Sequence, residues 1–139
     1  HVINYKTEDF VARAKEITGG EGVDVVYDSV GKDTFPGSLD CLKPLGMWAS
    51  FGSSSGAVPP FPIALLAQKG SLFATRPTLF TYVAKRADLE ATAADLIDKV
   101  ASGVVKIEIS ARYPLAEGGK AIRALMDRSA TGKLVVMMG

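Results

Sequence analysis

Histidine and cysteine are almost missing from this chain of 139 residues, which has one of each, His1 and Cys41. A lone cysteine excludes an intrachain disulfide and a multi-thiolate zinc site. Cys41 is read as a small buried hydrophobe. A single terminal histidine argues against a Ser-His-Asp triad, a histidine-rich metal site or a histidine base. Charge of one sign is also lacking, since 16 Lys and Arg stand against 15 Asp and Glu, for a net charge of +1. The basic stripe of a nucleic-acid binder is therefore not seen. No apolar run approaches the ~20 residues that span a bilayer, and no signal-peptide core opens the sequence. With those signals absent, the cytoplasm is the default compartment. What is present, 47% hydrophobic and 22% charged residues, is ordinary for a globular domain and unlike a disordered tail. The chain starts on His1 and runs at once into strand-like Val2-Ile3-Asn4-Tyr5, which reads as a piece of a longer polypeptide.

Short apolar runs alternate with amphipathic stretches. Thr7 to Thr18 places Phe10, Val11, Ala14 and Ile17 on one helical face, with Thr7 as N-cap and Gly19-Gly20 as the stop. Val23 to Tyr27 reads as a buried strand, Asp33 to Leu42 as a short helix and Leu45 to Phe51 as a second buried strand. A helix over Ile63 to Gln68 and a compact strand over Ser71 to Thr75 follow. Ala87 to Ser102 is the strongest helix, with Leu89, Ala93, Leu96, Ile97 and Val100 on one face. Val105 to Ala111 is expected as a strand. Ala116 to Arg128 is expected as a helix with Ile122, Leu125 and Met126 inward, and Lys133 to Met138 as the closing strand. Strands separated by helices imply parallel pairing and a doubly wound α/β sheet. No repeat and no internal domain boundary is visible.

In an open α/β sheet, ligands sit beyond the carboxyl ends of the strands. The residues of interest are then Tyr5, Asp28-Ser29-Val30-Gly31 and Phe51-Gly52-Ser53-Ser54. Gly52 and Gly56 bracket serines that could face a phosphate, or could form a plain flexible loop. Asp28 is a candidate base, but an Asp there more often caps the following turn. Tyr82 and Lys85 stand three apart rather than the four that would align them on a helix, so a short-chain dehydrogenase pair is rejected. Trp48 is read as core or interface packing. Arg128 could favour a helix dipole or reach an anionic ligand. Lys133 is a surface lysine or a lining residue of the crevice.

Several strings occur in a familiar order: Val2-Ile3-Asn4-Tyr5, Val25-Val26-Tyr27-Asp28-Ser29-Val30-Gly31, Ser38-Leu39-Asp40-Cys41-Leu42 and Ser50-Phe51-Gly52. Gln68-Lys69-Gly70-Ser71-Leu72, Thr75-Arg76-Pro77, Ala101-Ser102-Gly103-Val104 and Tyr113-Pro114-Leu115 follow. Together they resemble the NADPH-dependent quinone oxidoreductases, the zinc-independent, zeta-crystallin-like branch of the medium-chain dehydrogenase/reductase superfamily. The resemblance covers essentially the whole chain. It implies a Rossmann-like, mostly parallel sheet lacking the opening βαβ unit and its Gly-rich turn. Residues from about 103 onward would form the return segment that packs on a catalytic domain. Tyr5 matches the Tyr near the adenosine end of NADPH, and Ser29 and Val30 match the loop beside the cofactor. Phe51, Gly52, Ser53 and Ser54 match the segment running towards the nicotinamide, and Arg128 matches a cofactor-contacting Arg. Ser53 departs from the frequent Asn, and Ile122 from a frequent His.

The implied reaction is hydride transfer from NADPH to a quinone or a related electron-poor carbonyl compound, with no catalytic residue identifiable here. An enoyl or alkenal reductase of the same superfamily is the nearby alternative. A truncated module that dimerises or binds nucleotide is the alternative of another class. The resemblance argues against zinc. It implies a homodimer through the Ser71 to Thr75 edge strand, which exposed edges favour on physical grounds as well. The isolated chain is expected to be inactive.

Overall fold

The computed structural model describes residues 1–127 and 129–138. They fall into two compact units, His1–Tyr82 and the residues from Val83 onward. The sequence showed no boundary there.

In the first unit, strand β1 (Val23–Asp28) pairs in parallel with β2 (Leu42–Ser50), and β2 with β3 (Phe73–Thr75), giving the order β1-β2-β3. Helix α1 (Phe10–Ile17) keeps the expected half-buried face of Phe10, Val11, Ala14 and Ile17. Its cap is Asp9, however, and not Thr7. The Asp9 carboxylate accepts the amides of Val11 at 3.0 Å and Ala12 at 3.1 Å. Thr7 is already engaged, since its amide bonds to the Asn4 carbonyl at 2.9 Å. That same carbonyl takes the Glu8 amide, so Val2 to Tyr5 enters a turn rather than the expected strand.

The helix expected over residues 33–42 contracts to α2 (Gly37–Asp40), because Thr34 is drawn away to Asp28. Gly37 leaves room for α1. A Cβ on it would stand 2.6 Å from the Phe10 ring. Helix α3 (Ala64–Gln68) carries the chain to β3, and a single-turn helix α4 (Leu79–Tyr82), not foreseen from the sequence, closes the unit. The core is Leu39, Leu42, Trp48 and Leu72, flanked by Phe35, Phe61, Leu65 and Leu66. The rings of Phe35, Trp48 and Phe61 lie 5.0 to 6.1 Å apart. Cys41 is buried, as expected.

The second unit opens with α5 (Arg86–Ala101), the longest helix, close to its expected bounds. Its apolar face is not buried in this chain, with Leu96 57% and Ile97 64% exposed. The next strand, β4 (Ile109–Pro114), starts later than expected because the Val105 amide turns back to the Lys99 carbonyl and caps α5. A 3-10 turn (Leu115–Glu117) and α6 (Gly118–Met126) follow, and β5 (Lys133–Met137) pairs in parallel with β4. Ala121 is the buried residue of α6, whereas Ile122, Leu125 and Met126, expected inward, are exposed. Arg128 lies outside the described residues. Among the described residues the strands form a three-stranded and a two-stranded parallel sheet where one sheet was expected. Each is wound through helices, as in part of a Rossmann-like α/β fold.

Candidate functional site

The parallel register of β1 and β2 sets Asp28 opposite Ser50, so the two strands end level. Both loops that leave this edge therefore start side by side. They are then joined along their length. The Phe51 amide donates to the Asp28 carbonyl at 2.9 Å and the Ser54 amide to the Ser29 carbonyl at 3.2 Å. Both the amide and the hydroxyl of Ser55 donate to the Val30 carbonyl, at 2.9 and 2.8 Å. The Ser55 hydroxyl also receives the Asp33 amide at 2.9 Å, and the Lys32 amide reaches the Gly56 carbonyl at 3.1 Å.

Two glycines make this approach possible. Gly52 lies directly against Ser29, where an added Cβ would fall 2.8 Å from the Ser29 Cα. Gly31 has φ +88°, a left-handed conformation that favours glycine, and a Cβ there would stand 2.6 Å from the Gly56 carbonyl oxygen. The segment from Gly52 to Gly56 is therefore a pinned loop and not a free one. Ser55 is committed to it internally, while Ser53 and Ser54 face solvent and Phe51 is half exposed.

Asp28 does what a capping Asp does. Its carboxylate accepts the amides of Val30 at 2.8 Å and Gly31 at 3.0 Å. The hydroxyls of Ser38 and Thr34 donate at 2.8 and 2.9 Å, and the Trp48 indole at 3.3 Å. Burial opposes the charge. The donors from Gly31, Ser38, Val30 and Thr34 outweigh it and hold the carboxyl below the usual carboxylate value. Asp28 is 4% exposed and its oxygens are taken up by five donors, so it is poorly placed to exchange protons with a ligand.

The structure therefore brings Ser29, Val30, Phe51, Gly52, Ser53 and Ser54 to one edge. Tyr5 stands in the opening turn, 41% exposed, and among the described residues no hydrogen bond links it to this edge. Sequence reasoning missed Arg76. Its guanidinium donates to the carbonyls of Ser50 at 2.8 Å and Gly52 at 3.2 Å, closing the end of β2. The rule that selected the other residues would also have selected Arg76, which directly follows β3. A cavity of about 180 Å³ lies between Arg76, Ser50, Gly52, Ser53, Ala57 and Val58. A larger groove of about 520 Å³ is lined by Trp48, Val58, Phe61, Ala74 and Arg76, among others. Among the described residues no group of three or more His, Cys, Asp or Glu side chains is gathered to hold a metal ion.

Comparison with known proteins gives consistent matches. A family model described as "Zinc-binding dehydrogenase" matches residues 1–136. Quinone oxidoreductase 1 of Escherichia coli (strain K12) is 46% identical over 138 residues, covering 98% of this chain and 42% of that protein. The 2-haloacrylate reductase of a Burkholderia species is 44% identical, covering 99% of this chain and 41% of that protein. The crystal structure of the Escherichia coli quinone oxidoreductase complexed with NADPH superimposes with a TM-score of 0.92. It is 46% identical, and the match covers 99% of this chain and 43% of that one. The chain thus spans less than half the length of these relatives.

Proposed function

The chain belongs to the zinc-binding dehydrogenase family, and from that premise we propose that it forms the later part of the nucleotide-binding domain of an NADPH-dependent oxidoreductase. Its acceptor would be a quinone or a similar electron-poor enone. The observation that carries this reading is the pair of pinned loops at the level carboxyl ends of β1 and β2. The relatives support it through what their names state, namely quinone oxidoreduction, haloacrylate reduction and a complex with NADPH.

The described residues suit a dinucleotide. Gly52 offers a backbone without a side chain, Ser53 and Ser54 offer exposed hydroxyls, and Phe51 offers a half-exposed ring. When bound, NADPH supplies the hydride that reduces the acceptor. The chain's own residues bind and orient. Ser29 and Val30 would flank the cofactor and Phe51 to Ser54 would run along it; the resemblance adds Tyr5, and Arg128 lies outside the described residues. Residues from about 103 onward form the return segment that packs on a catalytic domain. Among the described residues no cluster of donor side chains is gathered for a metal ion, and the Cys41 thiol is buried, with burial and the charge of Asp40 pushing its pKa up. Among the described residues no helix is long and apolar enough to cross a membrane.

The test is an assay of the complete polypeptide that carries this chain. NADPH oxidation is followed with a benzoquinone and, separately, with an enone. Oxidation dependent on either acceptor is expected, and the ratio of kcat/KM values assigns the acceptor class. A polypeptide that neither binds nor oxidises NADPH would sink the reading.

A further inference from the structure

We propose that Asp28 is a positioning residue for the cofactor. It holds the Val30-Gly31 loop from inside the core while its main-chain carbonyl receives the Phe51-Gly52 loop, so one residue sets the spacing of both. The inference rests on the NADPH reading above and assigns it a buried control point.

The two oxygens of the carboxylate divide the work. Oδ1 faces the loop and takes the Val30 and Gly31 amides. Oδ2 faces the core and takes the Ser38 hydroxyl and the Trp48 indole, with Thr34 reaching both oxygens. The peptide oxygen of the same residue takes the amides of Phe51 at 2.9 Å and Gly52 at 3.2 Å. Both loops are thus referenced to the buried core, which includes Trp48, through a single side chain and its own carbonyl. Every partner is a donor, which an acceptor-only carboxylate satisfies completely. No proton transfer is asked of it, because it is 4% exposed and its acceptor sites are already taken up.

The residue differs from its surroundings in what each substitution would move. Asp28→Ala frees the loop. Asp28→Asn keeps an amide oxygen for Val30 and Gly31, while the Ser38 and Thr34 hydroxyls can turn to accept from the new NH2 group; only the Trp48 indole is left opposed. Ser38→Ala removes a donor on the core side and leaves both loop bonds intact.

The experiment titrates NADPH into the complete polypeptide and measures steady-state kinetics with a benzoquinone. Asp28→Ala is expected to raise the NADPH Kd about tenfold or more, with the quinone KM at saturating NADPH unchanged. Asp28→Asn is expected to recover most of that affinity and to keep turnover. Ser38→Ala is expected to lower Tm while leaving the NADPH Kd within about twofold of the unsubstituted protein, a split that a merely stabilising role for Asp28 would not produce. A folded Asp28→Ala variant with unchanged affinity overturns the proposal. So does Asp28→Asn with intact affinity and lost turnover, which would make the carboxylate a chemical participant. If Asp28→Ala does not fold, Asp28→Glu decides. It keeps the charge on a longer arm, and unchanged NADPH affinity in that variant also overturns the proposal. If the unsubstituted polypeptide binds no NADPH, the reading above has failed and takes this inference with it.

Discussion

Gly52 shows how much one missing side chain can decide. The obstacle to a Cβ there is main chain, the carbonyl and Cα of Ser29, which cannot rotate away as a flexible side chain could. The segment is also tied at both ends, by Phe51 to Asp28 and by Ser54 to Ser29. Adding a methyl group must therefore part the two loops. We expect Gly52→Ala to cost about 1–3 kcal/mol of stability and to weaken NADPH binding in the complete polypeptide at least tenfold. Gly119→Ala is the control, because the nearest atom it would meet is the end of the Arg123 side chain at 3.8 Å. Urea unfolding and an NADPH titration check both variants. Equal affinity in Gly52→Ala would mean that the loop spacing is irrelevant to the ligand. Arg76 acts at the same scale from the opposite side. The carbonyls of Ser50 and Gly52 that accept from it sit where β2 stops, and its guanidinium satisfies backbone acceptors just as the strand ladder ends.

At the scale of elements, β3 is the exposed margin of the three-stranded sheet. It is three residues long, pairs only with β2 in that sheet, and leaves Phe73 58% exposed. An edge of this kind presents unpaired backbone groups to a second copy. We propose that the Ser71 to Thr75 segment meets its twin across a twofold axis, and Phe73→Lys tests it by bringing like charges together there. Light scattering should show a dimer for the unsubstituted polypeptide and a monomer for the variant, with unchanged far-UV circular dichroism. A monomer in both cases removes the proposal. The elements also show what the sequence discloses and what it hides. β1, α1, α3 and α5 were legible because their apolar spacing is local. The cap of α1 was not, because Thr7 and Asp9 are both good capping residues and only the Asn4 turn decides between them. The start of β4 was misplaced because Val105, apolar enough for a strand, is used to end α5. In α6 the apolar face was identified but its burial was not, since periodicity gives a face and not what covers it. The candidate loops followed from one topological rule, and Arg76 escaped only because that rule was not carried on to β3.

The two units of the molecule differ in how much core each contains. The first holds the buried set Leu39, Leu42, Trp48 and Leu72 and the linked rings of Phe35 and Phe61. The second holds one buried hydrophobic residue among those described, Ala121, and its longest helix has none. Isolated helices of about fifteen residues are marginal in water, so α5 draws most of its stability from whatever covers its apolar face. In this chain by itself Leu89, Leu96 and Ile97 are all more than two-fifths exposed, and that contribution is small. Local stability therefore falls from the first unit to the second. Trp48 is the only tryptophan and lies in the core of the first unit, so its fluorescence reports that unit alone. Far-UV circular dichroism is weighted instead towards helix, of which α5 and α6 are the largest share in the second unit. On heating the 139-residue chain, ellipticity should fall first and the Trp48 emission should shift at a higher temperature. Coincident transitions by the two probes would show one cooperative unit and refute the division. In a longer polypeptide that covers the apolar face of α5, the same two curves should draw together, because burial of Leu89, Leu96 and Ile97 would stabilise the second unit.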